Sequence, residues 1–574
     1  MLLPLIQNGR SNYVITIRRP ATEPERFAAE ELSRYLHEIA GAKLPIETES
    51  RRALAIVLRP DLNTKSADAF RIRTKGSKLV LHGASPRALL FAVYTFLEDC
   101  LGCGWIKPGD EHVPDLDTIK IGKLDVFQSP SFSHRILIHF PYRRARALKQ
   151  IDWLAKQKMN VSFLATNNDL ALWDSNQTRE RVIPELRKRG VELRGVGHAF
   201  TAWLPPARYS RKHPEYYSLI DGKRDPDISL CVSNPAVARE VARNIGRFVD
   251  ANPEIKVITL WHNDLAGWCQ CDGCQAMNNA QETSKSYLNT LNFGRDPRLP
   301  RQGPSNTSAE LTFVNRVAEW LEQTHPAVQL ETLAYGANYR PSSRVKPRRD
   351  VLVGFAAFDK CIAPELALFP MNHRTANQPA CDYLRAWRKQ TGNFYIYEYF
   401  GLFHDFTPLW DVMRTDLQWY RKLGIEGIST EIASWNELHM YTFAKLAWNC
   451  HRSTDAILRS YCARAYGPVA ELMFQHWDRL RKARLNWNWN CGQVRAALKN
   501  VSLEQWFESR RRNPKWRTVE AECRTLAQQA SFQLQKSPLN SKSLAVRSDS
   551  RALERVRKVV ARWNEVPTPW WFSG

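Results

Sequence analysis

From about residue 127 the chain alternates short runs of β-branched and aromatic residues with stretches whose apolar positions recur at helical spacing, the pattern of repeated βα units. The runs at 135–140, 160–165, 191–196, 256–261, 329–335, 351–356, 393–397 and 427–430 make eight candidate strands, the number that a closed (β/α)8 barrel requires. One-faced helical stretches at 145–158, 178–189, 237–249 and 311–324 fall between them. The long insert between the third and fourth strands, and the polar segment 278–306 after the fourth, are expected to form loops on the face where the strands end.

Residues 1–126 predict a small α/β unit ahead of the barrel. A strand at 13–17 leads to Thr22 and Glu25, spaced as a capping box, and to a helix with Ala28, Leu32, Tyr35, Leu36 and Ile39 on one face and Gly41 as its stop. A strand at 53–58 follows, then runs at 70–73 and 78–81 around Gly76 that predict a hairpin, then a second helix opening at Pro86 and running to Gly102 and Gly104. Beyond about residue 451 the pattern turns helical, at 456–466, 468–485 and two later segments, and is expected to pack against the barrel. The expected fold is α/β: an accessory unit (1–126), a (β/α)8 TIM barrel (127–450) and a helical C-terminal region (451–574).

Composition fits this outline. The 574 residues, 44% hydrophobic and 24% charged, are those of a soluble globular protein of two or three domains, without an apolar run long enough to span a bilayer. The opening residues carry no basic leader and no small-residue cleavage site, so they are not read as a signal peptide. The expectation is a cytoplasmic protein as encoded, or a secreted or periplasmic one if a leader is missing. A net charge of +24 would suggest nucleic acid, but the basic residues are spread out, the densest stretches being 143–146, 187–189 and 510–517. No nucleic-acid partner is expected; the excess favours acidic glycans by long-range attraction. The 20 Trp, 18 Tyr and 24 Phe supply faces that pack on sugar rings as well as fill a core, so a carbohydrate or glycoprotein is the expected partner.

In a (β/α)8 barrel the reacting groups stand at the carboxyl ends of strands. Those positions hold His198 after the third strand, His262, Asn263 and Asp264 after the fourth, Tyr335 after the fifth, Glu398 and Tyr399 after the seventh, and Glu431 then Trp435 after the eighth. Glycosidic cleavage needs a proton donor and a group that stabilises the anomeric carbon, work that carboxyl groups usually do. Asp264, Glu398 and Glu431 are therefore the candidates, in that order of preference. The adjacent Asn263–Asp264 pair suits a substrate-assisted mechanism, with one side chain orienting a 2-acetamido group and its neighbour handling the proton; an Asn-Asp turn closing a strand is the alternative. His198, His262, Tyr335, Tyr399 and Trp435 are ranked as substrate-binding residues.

Three of the twelve cysteines crowd into Cys269, Cys271 and Cys274, with the close spacing that tetrahedral zinc accepts, and Cys231 is available as a fourth ligand. Such a zinc would be structural, since four thiolates leave no open coordination position; a local disulfide with a spare thiol, or reduced thiols, are the alternatives. No cofactor for catalysis is expected.

The stretches Phe27 to Gly41, Gly83 to Tyr94 and Leu101 to Gly109 resemble the accessory domain that precedes the barrel in α-glucuronidases and β-hexosaminidases. The segments Gly195 to Phe200, His213 to Tyr217 with Asp221 to Arg224, Cys231 to Pro235, Asn263–Asp264 with Trp268 to Cys274, and Tyr441 to Asn449 resemble the bacterial domain of unknown function 4838, part of which forms glycoside hydrolase family 163. That resemblance implies a retaining endo-β-N-acetylglucosaminidase that releases complex N-glycans with help from the acetamide. An α-glucuronidase or other exo-glycosidase on acidic sugars, and a non-catalytic carbohydrate-binding protein on a hydrolase scaffold, are the competing expectations.

Overall fold

The computed structural model describes residues 2–138, 144–165, 176–264, 267–286, 301–362, 369–374, 376–401, 408–432, 436–485, 514–536 and 544–564. Eight parallel strands close a barrel in sequence order: β1 (His134–Ile138), β2 (Val161–Ala165), β3 (Glu192–Val196), β4 (Val257–Thr259), β5 (Gln329–Ala334), β6 (Leu352–Ala356), β7 (Phe394–Glu398) and β8 (Gly427–Glu431). β8 returns to β1 with Arg135 opposite Ile428 and Ile138 opposite Glu431. Away from their ends, the described side chains of the strands are buried on both faces, as parallel strands under a helical layer must be. Ile136, Ile138, Val161, Phe163, Val257, Leu333, Leu352, Tyr395 and Tyr397 fill the barrel, while Leu137, Leu193, Ile258, Leu330, Val353, Ile396 and Ile428 face the helices.

A polar group sits low in the barrel. The Arg194 guanidinium lies 3.7 Å from Glu331, which also accepts from the Tyr395 hydroxyl at 2.7 Å. Burial lifts the Glu331 pKa to about 6, with Arg194 opposing the rise.

Ahead of the barrel lies a six-stranded sheet in the order Asp125–Gln128, Phe70–Lys75, Lys78–Gly83, Ala55–Arg59, Val14–Ile17 and Ile46–Thr48. The expected hairpin turns at Gly76 (φ +59°), and the helix Glu23–Ala40 ends at Gly41 (φ +72°). Its start is fixed by Glu25, whose carboxylate accepts from the Thr22 N–H at 2.9 Å. The sheet is tied to the barrel through Asp68, which accepts from fully buried Arg135 at 2.6 Å, Arg87 at 2.8 Å and Asn160 at 2.9 Å. Burial alone would raise the Asp68 pKa, but the two guanidiniums hold it below the ordinary range.

The two segments expected to be plain loops contain antiparallel hairpins, Tyr217–Ile220 with Lys223–Leu230 and Thr283–Ser286 with Arg301–Pro304. Their sequences, rich in polar and charged residues, carry no sustained hydrophobic alternation to betray them. Helix Glu437–Trp448 follows β8, and helices Thr454–Tyr466, Ala470–Leu485, Pro514–Lys536 and Leu544–Asn564 form the tail. The tail touches the barrel layer, where Trp477 meets Trp410 edge-on at 6.0 Å, and also reaches past it: Arg555 holds Asp110 of the hairpin Gly104–Lys107/Asp110–His112 at 2.5 and 2.9 Å. Among the described residues no helix is long and apolar enough to cross a membrane.

Candidate active site

At the carboxyl ends of several strands the inward-facing positions are aromatic. β7 reads Phe394-Tyr-Ile-Tyr-Glu, so its alternation sends Tyr395, Tyr397 and then Tyr399 into the barrel and Ile396 and Glu398 out of it. The same alternation places Trp261 beyond β4 and Tyr335 beyond β5 on the inner side. These rings form a closed circuit: Trp261 to Tyr397 (5.9 Å), Tyr397 stacked on Tyr399 (4.7 Å), Tyr399 to Phe358 (4.9 Å), Phe358 to Tyr335 (5.6 Å), Tyr335 to His198 (5.6 Å) and His198 back to Trp261 (5.3 Å). A ring of aromatic faces at a barrel mouth suits the apolar faces of sugars.

Two carboxyl groups stand in this ring. Glu431, the last residue of β8, accepts from the Tyr397 hydroxyl at 2.9 Å. Burial first, and then the negative charge of Asp264, push its pKa up to about 7, with the Tyr397 hydrogen bond opposing. Asp264 is exposed and accepts from the Tyr335 hydroxyl at 3.2 Å. Both carboxyls accept from tyrosines of the same aromatic circuit, in unlike surroundings: one mostly enclosed, the other open to water.

The residues around Asp264 hold its loop. The Asn263 side-chain N–H groups donate to Thr201 Oγ1 (2.9 Å) and the Ile228 carbonyl (3.0 Å), and its oxygen accepts from the Thr201 N–H (3.3 Å). The expected acetamide-orienting role of Asn263 is therefore corrected, because its amide is spent inside the protein. His262 is likewise buried, 3.3 Å from Glu310, which also accepts from Thr332 at 2.8 Å and from Asn338. Its expected place against substrate is corrected to a loop anchor. The His198 Nδ1–H donates to the His262 carbonyl at 2.6 Å, and burial holds the ring below its ordinary pKa, which favours the neutral tautomer with Nε2 as acceptor.

Glu398, the second-ranked carboxyl, is not in the mouth. It points outward from β7 into a buried cluster, accepting from Tyr420 and lying 3.5 Å from Lys360, which also pairs with Asp416. Burial raises its pKa, with Lys360 opposing. Its alternation with Tyr397 and Tyr399 dictates this, so Glu398 is corrected from a catalytic candidate to part of the packing between barrel and helices. Trp435 lies outside the described residues. The residues that strand-end counting missed are Tyr397, Trp261 and Phe358; the period-two alternation of β7 was the available signal for the first.

The Cys231, Cys269, Cys271 and Cys274 sulfurs all lie within 4.8 Å of one another beside the Asp264 loop, and all four cysteines are free. Of the alternatives, the disulfide is absent from this arrangement.

A closed barrel with an accessory sheet ahead of it, and carboxyl groups among aromatic rings at its strand ends, places the chain in the class of (β/α)8-barrel proteins. It belongs to the family described as domain of unknown function (DUF4838), which matches residues 105–477. Among solved structures it is similar in fold to a GH115 4-O-methyl-α-glucuronidase with specificity for decorated arabinogalactans, at 14% identity over 100% of this chain and 78% of that one, TM-score 0.55. It is similar also to a GH138 enzyme targeting pectin rhamnogalacturonan II (11% identity, 96% and 69% covered, TM-score 0.53). A third likeness is to the GH20 chitobiase of Flavobacterium johnsoniae (12% identity, 98% and 90% covered, TM-score 0.52). No protein of curated function matches the chain by sequence.

Proposed function

We propose that this protein is a glycoside hydrolase, and specifically a retaining endo-β-N-acetylglucosaminidase acting on complex N-glycans. The observation that carries the proposal is the unlike pair of carboxyl groups in the aromatic mouth, Glu431 with its pKa near 7 and Asp264 open to solvent. A carboxyl whose surroundings raise its pKa toward neutrality is suited to give a proton. First preference for the acid thereby passes from Asp264 to Glu431, which gives its proton to the glycosidic oxygen.

In a substrate-assisted reaction Asp264, steadied by Tyr335, accepts the acetamide N–H. This makes the acetamide oxygen a better nucleophile, and it bonds to the anomeric carbon as the glycosidic bond breaks and Glu431 protonates the leaving oxygen. The cationic oxazolinium faces Asp264. Glu431, now ionised, takes a proton from water, whose oxygen reopens the ring with retention. Tyr397 orients Glu431, and neutral His198 offers an acceptor to a sugar hydroxyl.

The test is mass spectrometry of products from a complex-type N-glycoprotein, a chitooligosaccharide and a uronate-decorated arabinogalactan. Released glycans ending in a single N-acetylglucosamine support the proposal. Stepwise loss of terminal sugars would replace it by an exo-glycosidase, and binding without cleavage by the folded protein would replace it by a carbohydrate-binding role.

A further inference from the structure

The four-cysteine cluster is not used by the chemistry above. Cys231 follows the insert strand Lys223–Leu230; Cys269 and Cys271 lie in the segment after Asp264; Cys274 sits in the helix Asp272–Met277, which Cys271 caps. Cys231 is 3.6 Å from Cys271 and 3.9 Å from Cys274, sulfur to sulfur. A tetrahedral thiolate cage with metal–sulfur bonds of about 2.3 Å has edges of about 3.8 Å. A disulfide would need about 2.05 Å.

The surroundings fit a charged cage. Four thiolates around a divalent ion leave excess negative charge, which hydrogen-bond donors to sulfur must offset. The Leu219 N–H points at Cys269 Sγ from 3.2 Å, and the Arg224 guanidinium lies 3.9 Å from the same sulfur. Ser233 Oγ stands 3.2 Å from Cys274 and 3.5 Å from both Cys231 and Cys271. The approach is close enough that a Cβ on Gly273 would come within 2.8 Å of that oxygen.

We infer that these four residues bind one structural zinc(II) ion that clamps the insert after β3 to the loop after β4. Sulfur-only tetrahedral coordination selects zinc or iron, and here the four ligands leave no open position for chemistry. The clamp acts on the candidate site through two short paths. Cys231 is three residues from Ile228, whose carbonyl holds Asn263, and Cys269 is five residues from Asp264. Between them the Gln270 N–H donates to the Leu219 carbonyl at 2.8 Å. The binding of the ion stands apart from the glycosidase proposal; only its effect on turnover rests on that proposal.

The experiment is elemental analysis of the full chain purified without added metal, with zinc release by a mercurial followed by an indicator dye. The expected result is one zinc per chain, released as thiols are titrated. The cobalt(II)-exchanged protein should show the near-ultraviolet thiolate-to-cobalt band and the red d–d bands of tetrahedral sulfur coordination. Cys271→Ser should lose the ion and unfold at a lower temperature. The wild-type metal content and cobalt spectrum decide the matter even if that variant fails to fold. Iron in place of zinc, a metal-free protein with all four thiols titratable, or a disulfide among them would each overturn the inference. One zinc per chain with no glycan cleavage would leave the clamp standing and remove only the glycosidase proposal.

Discussion

Glu431→Gln should stabilise the folded protein at alkaline pH and leave its stability unchanged in acid. The carboxyl has a pKa of about 7 in the fold against an ordinary 4.5. As pH rises through 4.5 the unfolded chain gives up this proton first, so folding is increasingly disfavoured until the folded pKa is passed and the penalty becomes constant. At about 1.4 kcal/mol for each tenfold change, the full difference is roughly 3 kcal/mol. Glu431 keeps some contact with water, so about 2–3 kcal/mol is the better figure.

Glutamine has the same outline, stays neutral and still accepts from Tyr397, so it removes the penalty and little else. Unfolding entropy of about 2.1 cal/mol/K per residue gives about 1.2 kcal/mol/K over 574 residues, which makes the expected rise in Tm about 2 °C near pH 8. Near pH 4 both side chains are neutral and the two proteins should melt together. Scanning calorimetry of both proteins at the two pH values makes the comparison, and taking the difference cancels the other titrating groups. An equal shift at both pH values, or a less stable variant at pH 8, would refute the assignment of a raised pKa to Glu431.

Two further outcomes separate the carboxyl groups and their partners. Tyr397→Phe removes a donor that favours ionised Glu431, so the alkaline limb of kcat/KM should move to higher pH by roughly 0.5–1; a purely structural Tyr397 would lower activity without moving the limb. Glu398→Gln should leave kcat unchanged, because the side chain lies in the buried cluster with Lys360 and Tyr420 behind the barrel wall. A large fall in kcat at unaltered Tm would return Glu398 to the reacting groups.

The barrel was legible because each strand is a β-branched or aromatic run between helical stretches, and all eight lie within two residues of the expected bounds at every end the structure describes. The short strands Ile119–Ile121 and Asp125–Gln128 were not, since three or four residues are too few to establish a period. The strand-end positions name candidates on one rim, but counting residues past a strand does not say which face they take. A parallel strand is apolar on both sides, so hydrophobicity leaves that choice open. Glu398 was misplaced for this reason, and its partners Lys360, Asp416 and Tyr420 are remote in sequence. The raised pKa of Glu431 comes from enclosure and from Asp264, neither visible along the chain. The cysteine spacing did point to a cluster, and the fold brings Cys231 to the other three across the insert.

The most direct test of the central claim, that Glu431 donates the proton and Asp264 supports the cation, is the dependence of rate on leaving group. Wild type, Glu431→Gln and Asp264→Asn are compared on aryl glycosides of the cleaved sugar, from ordinary phenols to dinitrophenols. An acidic phenol departs without a proton, so Glu431→Gln should lose about 10²–10⁴-fold on the poorest leaving group and recover toward wild type on the best. Asp264→Asn should be slow on all of them. A uniform loss in Glu431→Gln, or no loss, would contradict the account.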